Sequence, residues 1–189
     1  MKPNTRVLLV YLLFLAGVFL SIYSVLVSHD VYLFGTKGYV ILVYSEGCAS
    51  CVDATDRITS LLEKLGGFKT DVCVSGESGF CKSFLDFLSL VKGLPYAEPV
   101  AVVYRGEGEE VRGIVFNPVD SPSFWLMLRD TEPAERYVPV YYRSDFYSLI
   151  RLDECVGQVI SLLWETARGA EVPQENIVCE PGNVTIVGR

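Results

Sequence analysis

The stretch GYVILVYSEGCASCVDATDRITSLLEKLGG, from Gly38 to Gly67, decides the fold of this 189-residue chain. Gly38 to Tyr44 is an apolar run of β-branched and aromatic residues with no polar alternate, the pattern of a strand buried on both faces in a parallel or mixed sheet. Ser45-Glu46-Gly47 breaks the run. Cys51, Ala54, Ile58, Leu61, Leu62 and Leu65 then recur at helical spacing, and Gly66 and Gly67 stop the helix. A strand running almost directly into a helix puts Cys48 at the junction, at the helix N-terminus, with Cys51 one turn further in.

Downstream, FKTDVCV (Phe68 to Val74) reads as a second strand and SGESG as a loop. Phe80, Phe84, Phe87, Leu88 and Val91 line one face of a second helix that Gly93 ends. VAVVY and EVRGIVF, on either side of a glycine-rich turn, make an antiparallel hairpin. Ser121 caps a further helix with Pro122 at its first position, and Trp125 reads as a core residue. Beyond residue 132, YVPVYY suggests a strand. A helix starting at Ser144 or Asp145 would use Leu149, Leu152, Val156, Val159, Ile160 and Leu163, and end at Gly169. ENIVCEPGNVTIVGR reads as extended segments around a PGN turn, and Trp164 as core or interface.

At the front, VLLVYLLFLAGVFLSIYSVLV (Val7 to Val27) carries no charge. As a helix it would be about 30 Å long, enough to cross a bilayer. Lys2 and Arg6 precede it, which favours an inside N-terminus and places the rest outside. Its length and the lack of a small-residue cleavage site favour an uncleaved anchor over a removed signal. The expected organisation is an anchor over residues 1–28, a domain over 29–132 and an α+β extension over 133–189, in a single-pass protein of the cell membrane. All 23 acidic residues lie from Asp30 onward, while Lys2 and Arg6 are among only 16 basic ones. That balance argues against nucleic acid, which requires clustered Lys and Arg.

The order strand, helix, strand, helix, hairpin, helix from about Gly38 to Thr131, with Cys48-Ala49-Ser50-Cys51 opening the first helix and Pro99 immediately before the hairpin, resembles the thioredoxin fold, a mixed central sheet flanked by helices. The resemblance implies that Pro99 is cis and faces the cysteine pair, that the pair exchanges electrons with protein thiols or disulfides, and that no metal or organic cofactor takes part. The chain departs from the family at two positions. Gly47 stands where a tryptophan is usual, which alters the surface offered to substrate. Leu42 stands where a buried acid often assists the inner cysteine.

The residues support the same chemistry. A thiolate is the attacking species, and a helix N-terminus favours it with partial positive charge and free N–H groups. Cys48 is the natural attacking sulfur and Cys51 the resolving one. Pro99 has no N–H and leaves an open backbone edge beside them. Glu46 and Glu98 flank the site and could modulate it by disfavouring a thiolate. No Lys, Arg or His lies between Tyr39 and Val52 to oppose them, which points to a mild reductant or isomerase-like exchanger. Other readings remain for the pair: a structural staple, or half of a zinc site with Cys73 and Cys81. Cys73, Cys81, Cys155 and Cys179 are expected to form two structural disulfides, for which three pairings exist and the local one is simplest. The expected function is disulfide exchange outside the membrane, with an electron-transfer partner in the membrane as a further expectation. The rival is a non-catalytic adaptor whose extension holds a partner.

An uncleaved anchor predicts that N-terminal sequencing of membrane-extracted protein starts at or next to Met1. A soluble protein starting at roughly residue 25–30 would show a cleaved signal instead.

Overall fold

The computed structural model describes residues 15, 17–19, 37–106, 108, 110–172 and 179–188. The chain divides into two compact units, Met1–Gly35 and Thr36–Arg189. In the first, residues 15 and 17–19 are helical. The anchor expected over residues 7–27 otherwise lies outside the described residues, among which no helix is long and apolar enough to cross a membrane.

The second unit is mixed α/β. β1 (Gly38–Tyr44), α1 (Ala49–Leu65), β2 (Phe68–Val74), α2 (Gly79–Leu90), β3 (Val100–Arg105), β4 (Val111–Phe116) and α3 (Pro122–Asp130) follow one another. β5 (Tyr137–Tyr142), β6 (Asp145–Arg151), α4 (Glu154–Ala167), a short 3-10 turn (Pro181–Asn183) and β7 (Ile186–Val187) complete it. The seven strands form one sheet in the order β2-β1-β3-β4-β5-β6-β7. β1 is parallel to β2 and antiparallel to β3. β4 is antiparallel to β3 and parallel to β5. Each parallel pair needs a crossover, which α1 and α3 supply.

The alternation of β1 explains the layers. Tyr39, Ile41 and Val43 pack with Phe80, Phe84 and Phe87 of α2 and with Val159, Leu163 and Trp164 of α4. Val40 and Leu42 point to the opposite face, with Ile58 and Leu62 of α1 and Trp125 and Leu128 of α3. An apolar run without alternation is therefore what this strand requires, because both of its faces are covered by helices. Gly66 closes α1 at φ 68°, a left-handed conformation that a side chain would disfavour.

The segment after residue 132 extends this sheet. β5 continues it beside β4, β6 returns antiparallel, and β7 adds a two-residue edge. Trp164 of α4 meets Tyr39 at 4.6 Å and Tyr104 at 5.1 Å between ring centroids, and the Tyr104 hydroxyl donates to the Ile160 carbonyl at 3.0 Å. The C-terminal helix therefore covers the middle of the sheet.

One expectation is corrected. No helix begins at Ser144 or Asp145. Arg143, at φ 62°, and Ser144 form the tight turn between β5 and β6, with Tyr142 paired to Asp145. The helix starts at Glu154, capped by Asp153, whose carboxylate accepts the Val156 N–H at 3.1 Å. Leu149 and Leu152 lie at helical spacing from Val156, which suggested a longer helix. The run of Phe146, Tyr147 and Ile150 instead suits a pleated strand, and the aspartate cap sits where the helix begins.

Phe84 is buried to 1% exposure beneath the sheet. Phe84→Ala is expected to destabilise the unit by about 3–5 kcal/mol, read as a lower urea midpoint with an unchanged denaturant slope.

Candidate functional site

The C-terminal end of β1 delivers Tyr44 to a tight turn, Ser45-Glu46-Gly47. Gly47 takes φ 84°, where a side chain would be strained, and this reversal sets Cys48 as the N-cap of α1. The Cys48 side chain makes no capping hydrogen bond. Its carbonyl accepts from the N–H groups of Cys51 at 3.0 Å and Val52 at 3.2 Å, so the first turn of the helix winds directly on it. Cys48 is half-buried, whereas Cys51 is 1% exposed. The two are joined as a disulfide, with Cα atoms 5.2 Å apart. The Ser50 hydroxyl lies 3.6 Å from the Cys48 Sγ.

A second segment reaches this turn from elsewhere in the chain. The Glu98 carboxylate accepts from the Ser45 N–H at 2.6 Å, from the Ser45 hydroxyl at 2.8 Å and from the Tyr96 hydroxyl at 2.6 Å. Both its oxygens are thus engaged, one by the backbone of the turn that leads to Cys48. The Glu98–Pro99 peptide is cis, Pro99 is buried, and its carbonyl accepts from Asn117 N–H at 2.9 Å. Glu98 is therefore a clamp between the approach to β3 and the turn before α1. Burial, then the hydrogen bond to Glu98 and the charges of Glu98 and Asp86, push the Tyr96 phenol well above its ordinary value.

Glu46 is placed differently. It is exposed, its N–H donates to the Ser75 hydroxyl at 2.8 Å, and its carboxylate lies against Gly76, where a Cβ would collide with it. It thus faces the loop after β2, which the Cys73–Cys81 disulfide closes. Cys155 pairs with Cys179 and ties the last segment to the start of α4. The four cysteines of the zinc alternative sit in two separate disulfides. Among the described residues no group of three or more His, Cys, Asp or Glu side chains is placed to hold a metal ion.

Cys48, Cys51, Glu98 and Pro99 are therefore brought to one end of the sheet, with Glu46 at its margin. Ser45 and Tyr96 belong to the same arrangement and carry no motif. The only local signal was that Tyr96 and Glu98 stand two residues apart just before Pro99. No family model, no curated protein and no solved structure matches the chain.

Tyr96→Phe removes one hydrogen bond to the carboxylate and is expected to cost about 1 kcal/mol at neutral pH. Because the folded pKa of Tyr96 is raised above the unfolded value near 10, its contribution is complete below that pH and is lost as pH rises toward the folded value. Alkaline denaturation followed by circular dichroism should thus be less steep in Tyr96→Phe than in the parent protein.

Proposed function

We propose that the protein is a thioredoxin-like thiol–disulfide oxidoreductase, held at a membrane by residues 7–27 and acting outside it on disulfides or dithiols of other proteins. The observation that carries this reading is the asymmetry of the cysteine pair. Cys48 is half-buried at the cap of α1 and Cys51 is sealed one turn inside, with the Glu98–Pro99 segment fastened to the same turn. The element order from Gly38 to Asp130 and the cis bond before Pro99 agree with the family resemblance.

The arrangement divides the labour between the two sulfurs. In the reduced pair, the Cys48 thiolate sits where the first N–H groups of α1 have no intrahelical partner, which favours negative charge. It attacks one sulfur of a substrate disulfide. A mixed disulfide forms, the substrate S–S bond breaks, and the departing thiolate takes a proton from solvent. The Cys51 thiolate, having lost its proton, then attacks Cys48 Sγ. The second substrate thiol leaves, and the Cys48–Cys51 disulfide closes, two electrons having passed to the substrate. Run in reverse, the same steps oxidise a dithiol. A membrane electron-transfer partner with its own cysteines would reset the pair. No basic residue between Tyr39 and Val52 adds to the pull of the α1 N-terminus on the thiolate. That supports a mild reductant or isomerase-like exchanger rather than a strong oxidant.

Trapping separates this reading from an adaptor whose cysteines stay oxidised. Cys51→Ser should accumulate mixed disulfides with other proteins through Cys48, visible as reductant-sensitive bands. Cys48→Ser should accumulate none. Equal absence of adducts in both variants would favour the adaptor.

A further inference from the structure

α1 buries a stripe made of Cys51, Thr55, Ile58 and Leu62. Ile58 and Leu62 meet Val40, Leu42, Ala101 and Val103 of the sheet, the apolar packing expected of an amphipathic helix. Thr55 is the exception. It is 3% exposed, and its Oγ1 is sealed from solvent with no hydrogen-bond partner. A buried hydroxyl in that state is destabilising. Other hydroxyls on or next to the helices avoid it by bonding back to their own helix. Ser83 donates to the Gly79 carbonyl at 3.2 Å, Thr131 to that of Met127 at 2.8 Å and Thr166 to that of Leu162 at 2.8 Å. The carbonyl at the same offset from Thr55 belongs to Cys51, and Thr55 does not use it.

Helix geometry decides what the hydroxyl meets instead. Residues four apart on a helix are neighbours, and side chains lean toward the N-terminus, over the preceding turn. Thr55 therefore leans over Cys51, on the same buried stripe. In the disulfide, the Cys51 sulfur is bonded to Cys48 and is a weak acceptor. In the dithiol it becomes a partner. A hydroxyl accepts from an S–H and donates to a thiolate, so it is satisfied in either protonation state.

We propose that the Thr55 hydroxyl is the hydrogen-bond partner of the reduced Cys51 sulfur and biases the cysteine pair toward the dithiol. The hydroxyl is orphaned in the disulfide and satisfied on reduction, so the reduced form gains. The bond to the thiolate is the stronger, because one partner is charged. It supports the resolving step. Cys51 gives its proton to solvent, and its thiolate attacks Cys48 Sγ of the mixed disulfide. The Cys48–Cys51 bond forms, the bond from Cys48 to substrate breaks, and the substrate thiolate leaves with the electron pair and takes a proton from solvent. Thr55 keeps its own proton throughout. A bias toward the dithiol places the pair nearer the isomerase-like than the reducing end of the range. This role in exchange rests on the function proposed above; the hydrogen bond itself does not.

The test equilibrates the full-length chain in dodecyl maltoside with glutathione buffers at neutral pH. Cys48 and Cys51 are read by mass-mapped alkylation, so the other two bridges do not enter. In Thr55→Val the equilibrium constant for reduction of the pair by glutathione is expected to fall about tenfold, equivalent to about 30 mV toward a more negative potential. Thr55→Ser keeps the hydroxyl and should stay near the parent value. Thr59→Val is the control. Its Oγ1 is also sealed and unpartnered, but it stands eight residues from Cys51, about 12 Å along the helix and out of reach. Its potential should match the parent. An unchanged potential in Thr55→Val overturns the proposal. So does an equal shift in Thr55→Ser or in Thr59→Val. Should Thr55→Val fail to fold, Thr55→Ala carries the same expectation. Trapping with Cys51→Ser keeps the two readings apart. A shifted potential without adducts upholds the hydrogen bond and removes the exchange function; adducts with an unshifted potential do the reverse.

Discussion

Burial of β1 on both faces is the constraint from which the other elements follow. A strand whose residues 38–43 are all sealed must have a strand on each side and a helical layer above and below. β2 and β3 provide the first. α1 with α3, and α2 with α4, provide the second. The parallel pairing of β1 with β2 then obliges the chain to cross over one face, and α1 is that crossover. Its N-terminus has to lie at the end of β1, so the position of Cys48 is a consequence of how the core is built.

The same constraint brings the cysteine turn and the proline segment together. β3 lies against β1 and runs antiparallel to it, so its start at Val100 stands beside the end of β1. Residues just before β3 therefore meet residues just after β1. Glu98 uses that proximity, binding Ser45 through two hydrogen bonds and Tyr96 through a third. A carboxylate with this many donors is a fixed part of the backbone arrangement. Glu46, one residue beyond Ser45, turns instead to the loop closed by Cys73 and Cys81. Glu46, two residues before Cys48, and Glu98, fifty residues after it, thus have different places in the fold.

The opposite end of β1 follows the same logic with different chemistry. There the start of β1, the end of β3, the start of β4 and the end of α3 converge, and each contributes a basic side chain to one cavity. The C-terminal segment strengthens the core: Trp164 joins Tyr39 and Tyr104 in one aromatic cluster, and the Cys155–Cys179 bridge anchors the chain beyond α4.

Periodicity along the chain was enough for β1, α1, α2, the β3–β4 hairpin and α3, because each has a long apolar pattern and a glycine or proline at its limit. The spacing of Cys48 and Cys51 behind a buried strand was enough to put them at a helix start. It was not enough for β6, where Leu149 and Leu152 fit a helical period as well as a strand, and pairing with β5 decided between the two. The bonding of Glu98 to Ser45 joins positions 53 residues apart, and the hydrogen bond of Arg112 to Lys37 joins positions 75 apart. No local pattern encodes such contacts. They depend on the order of strands in the sheet, which is set by how all the apolar faces are buried at once.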